Sequence, residues 1–102
     1  MSSYLLTPQA EDDLFALWSY IAQDNIAAAD KVEAQIYAAC AFLSSTPRAG
    51  HFRPDLTPLP VRFWTVPHFP NYIVVYDPIF NPVRIIRILH GAVDIPRHLE
   101  GL

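Results

Sequence analysis

The sequence predicts a two-layer α+β domain of order β-α-α-β-β-β, an antiparallel helical hairpin packed on an antiparallel sheet. Three observations lead there. Apolar residues recur at helical spacing through two consecutive stretches before Pro47. Three short stretches rich in Val, Ile and Tyr follow Pro60. The 102 residues are 52% apolar and 17% charged, enough for one domain (1–102) with its own core and too apolar for a disordered chain.

Tyr4-Leu5-Leu6 reads as a first strand, placed at 3–6. Thr7 is positioned as a helix N-cap. Pro8 takes the first helical position, where its missing N–H costs nothing. Glu11, Asp12 and Asp13 follow, near the positive end of the helix dipole. Ala10, Leu14, Leu17 and Ile21 make the inward face of a helix over 8–24. Asp24 or Asn25 caps a second helix over 26–46, with Ala29, Val32, Ile36, Cys40 and Leu43 as its stripe and Pro47 as its stop. So short a connection makes the two helices antiparallel. Residues 47–60 form a Pro-rich connector, in which Gly50 is expected at a positive φ. Strands follow at 61–66, 72–77 and 83–89, joined by hairpin-length separators, and a helical turn at 94–99 ends the pattern.

Charge divides the chain. Up to Pro47 there are Glu11, Asp12, Asp13, Asp24, Asp30 and Glu33 against Lys31 alone, a balance of −5. Beyond it, Arg48, Arg53, Arg62, Arg84, Arg87 and Arg97 outweigh Asp55, Asp77, Asp94 and Glu100 by +2. That field is weak for a general nucleic-acid binder. The longest apolar run, Ile36 to Leu43, is far short of the ~20 residues a membrane span needs. The acidic start has no basic leader, and Cys40 stands alone, so the expected compartment is the cytoplasm.

No nucleophile motif, phosphate-cradling glycine pattern or metal-binding histidine spacing is present, and no cofactor is called for. Two sets of residues are left over. Phe15, Trp18 and Ala22 lie about 100° from the inward face of the first helix, and Ala27, Ala34, Ala38 and Ala41 form a small-residue face on the second. A partner would cover them, or they pack within the hairpin and against the sheet edge. The other set is Arg62, Arg84, Arg87 and His90 with Tyr72 or Tyr76, drawn from three adjacent strands. Strict alternation puts Arg84, Ile86, Ile88 and His90 on one face and Val83, Ile85, Arg87 and Leu89 on the other. Asp77 is a candidate partner for an arginine there. A metal-free ribonuclease needs such a base, cation and acid.

The runs YLLTPQAEDDLFALWSYIAQDN, AAADKVEAQI, STPRAGHFRPDL, NYIVVYDP and VRIIRILHGAVDI, in this order, resemble the ParE branch of the RelE/ParE toxin superfamily. The pattern D-L-x-x-x-W-x-Y-I-A at Asp13 to Ala22 and R-I-L-H-G-A at Arg87 to Ala92 carry most of the likeness, which spans residues 4–99. Where the family often reads H-G-A-R-D, this chain has Val93 before Asp94.

The resemblance implies a toxin of a type II toxin–antitoxin module with the RelE/ParE-like fold. It implies a small ParD-like, ribbon-helix-helix antitoxin as partner, and contact with operator DNA only through that antitoxin. ParE-type relatives poison DNA gyrase, and RelE-type relatives cut messenger RNA on the ribosome. The first reading is a binding poison without chemistry of its own, with Arg62, Arg84, Arg87, His90, Asp94 and Arg97 facing the target and Phe15, Trp18, Ala22, Ala34, Ala38 and Ala41 facing the antitoxin. The second is a metal-independent endoribonuclease using Arg62, Arg84, Arg87, His90 and Tyr72. The third is a module that has lost toxicity and keeps only antitoxin binding. No membrane and no small-molecule substrate enter any of them.

Overall fold

A computed structural model of the chain describes residues 4–101. Its elements are β1 (Tyr4–Leu6), α1 (Pro8–Ala22), α2 (Ile26–Ser45), β2 (His51–Phe52), β3 (Arg62–Thr65), β4 (Tyr72–Asp77), β5 (Val83–His90) and α3 (Ile95–His98). Ser3, placed in the first strand by the sequence reading, lies outside the described residues.

The caps act locally. The Thr7 hydroxyl accepts from the Ala10 N–H at 3.2 Å, and the Asn25 side chain accepts from the Ala28 N–H at 2.9 Å. Helix α1 stops two residues early because the Asp24 and Asn25 N–H groups both turn back to the Ile21 carbonyl. The hairpin lies on one face of the sheet. Leu14, Ile36, Ala39 and Leu43 pack there against Val74, Tyr76, Val83 and Ile85.

The five strands are ordered β1-β5-β4-β3-β2. The sheet is mixed, where an antiparallel one was expected. β1 runs parallel to β5, Tyr4 beside Val83 and Leu6 beside Ile85, and the other pairs are antiparallel. The added strand β2 sits inside the Pro-rich connector, where two residues between turns give no periodicity to read.

Strand β5 also departs from strict alternation. Tyr76 pairs with Ile85 and Val75 with Arg87, so Ile86 is an extra, bulged residue. Val83, Ile85 and Ile88 therefore share the helix-bearing side, while Ile86 and Leu89 face outward. The outer face is not bare. Leu56 and Leu59 of the connector and Leu99 beyond α3 pack over Phe63, Val75 and Leu89 in a second cluster.

Gly50 is glycine for a different reason from the one expected. It does not adopt a positive φ, which among described glycines belongs to Gly101. A Cβ on Gly50 would stand 2.7 Å from the Tyr76 hydroxyl oxygen and 2.9 Å from the Phe63 carbonyl oxygen. The buried Tyr76 hydroxyl accepts from the Gly50 N–H at 2.9 Å and donates to the Pro47 carbonyl at 2.7 Å. That pair of bonds fastens the start of the connector to the middle of the sheet.

Candidate functional site

The strand arginines do different jobs. Helix α1 takes over the edge of β5 where β1 ends. The Thr7 hydroxyl donates to the carbonyl of the bulged Ile86 at 2.8 Å, and the Asp13 carboxylate accepts from the Ile88 N–H at 3.0 Å. Arg87 completes this corner. Its guanidinium makes two bonds to Asp13, at 2.6 and 2.8 Å, and a third to the His98 carbonyl at 2.7 Å. The side chains of Arg87 and Asp13 are 17% and 14% exposed, and the hydrogen bonds it donates to Asp13 hold the Arg87 guanidinium even more firmly protonated than usual. Arg87 joins α1, β5 and α3.

Arg62 lies opposite Tyr76 on the helix-bearing side. It donates to the Gly50 carbonyl at 2.7 Å and sits 4.2 Å from the centre of the Phe52 ring. Arg84 points to the outer side and stacks 3.9 Å above Phe80. Asp77 does not pair with it: the Asp77 carboxylate accepts from the Ile79 N–H at 3.0 Å, completing its own turn. His90 meets Tyr72 edge-on at 5.3 Å, on the helix-bearing side and at the far end of the sheet. Six residues of strand separate Arg84 from His90, about 20 Å at the usual rise. Asp94 caps α3 by accepting from the Arg97 N–H at 3.4 Å, and Arg97 is exposed. These groups are thus spread over both faces and both ends of the sheet. They do not surround one reacting atom.

Cys40 is buried, and that burial pushes its thiol up to about 12, which removes the thiolate at neutral pH. Among the described residues, no three His, Cys, Asp or Glu side chains gather as a ligand set, and no helix is long and apolar enough to cross a membrane.

Among the described residues the hairpin carries much of the open apolar surface, with Phe15, Tyr20, Ile26, Tyr37 and Phe42 exposed on it. Phe15 is 72% exposed, and Trp18 lies partly covered beside it. Together with Leu6 and Leu14 they line a groove of about 350 Å³ between α1 and α2, bounded by Glu11, Glu33 and Tyr37. Trp18 is held in place by its indole N–H, which donates to Asp30 at 2.9 Å. Ala34, Ala38 and Ala41 are exposed on α2 and do not fill the helix–helix contact. Ala38 borders a second apolar hollow, where Phe42 stacks on Trp64 at 5.2 Å. Ala22 closes α1 and is partly covered. The sequence reading missed the groove's acidic rim and Tyr37. The signal available was the excess of acid before Pro47, which was read only as a whole-segment balance.

Comparisons with known proteins agree with this architecture. The profile described as the ParE toxin of type II toxin-antitoxin system, parDE, matches residues 4–95. A solved structure described as the chromosomal ParDE TA system from P. aeruginosa superposes with a TM-score of 0.70, at 24% identity, over 88% of this chain and 96% of that one. A search of the curated proteins found no match. The profile's span across nearly every element of the fold identifies the chain as a member of the ParE toxin family of type II toxin–antitoxin systems.

Proposed function

We propose that this chain is a binding-type toxin, neutralised by a small ParD-like antitoxin, that poisons DNA gyrase by protein–protein contact and represses its own operon as the toxin–antitoxin complex. The observation that carries the binding mode is the dispersal of Arg62, Arg84, His90 and Tyr72 over opposite faces and ends of the sheet. Acid–base cleavage of RNA needs those groups within hydrogen-bond reach of one phosphate. Contact with a large protein can use them where they stand. In this reading Arg84, Arg97 and Asp94 face the target on the outer side, and Arg62 and His90 border it from the sheet ends. Arg87 acts through the corner it braces. Phe15, Trp18 and Ala22 on α1, with the exposed Ala34, Ala38 and Ala41 on α2, receive the antitoxin.

Induced expression in a bacterial host, followed by supercoiling assays with purified gyrase, tests this. Filamentous growth and blocked supercoiling, both relieved by the protein encoded beside the gene, are the expected results. Untouched supercoiling with new cuts in ribosome-bound transcripts would overturn the target. Harmless expression of folded protein would leave only the antitoxin-binding role.

A further inference from the structure

We infer that the α1–α2 groove receives a cationic amphipathic segment of the neutralising partner, one with an apolar stripe shouldered on both sides by Lys or Arg. The floor is apolar, from Leu6 and Leu14, with Phe15 and Trp18 as aromatic walls. The rim is negative on both helices, Glu11 on α1 and Glu33 on α2. Among the described residues the ion pairs are Arg53–Asp55 and Arg87–Asp13, so neither rim carboxylate has a cation beside it. Lys31, the single base on the hairpin, borders a different hollow with Asn25 and Phe69. Tyr37 reports the same negative field: burial first, then Glu33, Cys40 and Glu11, push its phenol above the ordinary value. Two unpaired carboxylates facing each other across an apolar trough repel a partner segment with acidic flanks and attract one with basic flanks.

The inference rests on the reading of the chain as a neutralised toxin, yet its charge chemistry can fail separately. The test is titration calorimetry of the full-length chain with the protein encoded beside its gene, at low and high salt. Glu11→Lys combined with Glu33→Lys is compared with Asp24→Lys combined with Glu100→Lys, which makes the same charge change at exposed positions away from the groove. Circular dichroism confirms that each variant folds. The rim pair should weaken binding about tenfold or more at low salt, with the loss shrinking as salt rises, and the distant pair by less than about threefold. If both pairs act alike, or the bound segment carries no Lys or Arg, the basic segment is overturned while neutralisation stands. If the parent chain forms no complex at all, both readings fall together.

Discussion

Arg87 illustrates how a side chain singled out as a site candidate also braces the fold. Its fork matches the Asp13 carboxylate, and its third bond reaches the carbonyl of His98. Arg87→Ala strands a mostly covered carboxylate and should lower the unfolding free energy by about 2–3 kcal/mol in urea titrations. Arg87→Lys should recover only part of that, because an ammonium cannot reproduce the parallel pair. Equal stability of Arg87→Ala and the parent would contradict this account. Cys40 offers a second check at the same scale. The folded chain keeps the Cys40 proton up to about pH 12, whereas an unfolded thiol loses it near the ordinary 9.0. Above that lower value the unfolded state binds fewer protons, so stability should fall as pH rises from there toward 12. The Cys40→Ala variant should fall less steeply. At neutral pH, iodoacetamide should label Cys40 in urea and spare it in the folded chain.

At the scale of elements, the helices were legible and the sheet was legible only in part. Thr7-Pro8, Asn25 and Pro47 mark helix boundaries by chemistry that acts within a few residues, so a sequence displays them directly. The bulge at Ile86 was hidden because β5 is apolar on both faces, and its polar residues, Arg84, Arg87 and His90, fall three apart, a spacing that marks no single face. The parallel direction of β1 was hidden as well, since the partner of three apolar residues is a tertiary matter. Asp13 was read as a helix-start acid, which it is by position, and its second role depends on a strand 75 residues away. The bulge also re-sorted the strand's candidates: it moves every later side chain to the opposite face, which parts His90 from Arg84 and brings Arg87 to the outer side with Arg84. Thr7→Val tests how helix and bulge are joined. It removes both the cap and the bond to the Ile86 carbonyl, and should cost about 1–2 kcal/mol of stability. A loss no greater than that for an exposed threonine such as Thr65 would refute the joint role.

For the whole molecule, the second apolar cluster changes what a partner can reach. The outer sheet face does not lie open: Leu56, Leu59 and Leu99 pack over it. The pattern was readable in hindsight: leucines spaced among prolines hold no helix or strand but can still cap a sheet. Leu99→Ala should destabilise the chain by about 2–4 kcal/mol and raise dye binding to exposed apolar surface. If Leu99→Ala unfolds at the parent's temperature, the outer cover adds nothing to the body. The hairpin is then the larger open apolar region, and it is also where the negative charge gathers. Shape, apolarity and charge sign thus coincide on one side of the protein, while the arginines other than Arg87 border the opposite end and the outer face.

The bonds tying α1 to β5 join residues 79 and 75 positions apart. Contacts of such separation carry a large loop-closure cost, so they are expected to form after the hairpin and the meander have ordered. They set how long the folded chain persists more than how fast it arrives. Changes at Asp13 should therefore quicken unfolding in stopped-flow traces and leave the refolding limb nearly unmoved, whereas Thr7→Val, which also removes the local cap of α1, should slow refolding as well. A latch of this kind makes lifetime adjustable without redesigning the nucleus.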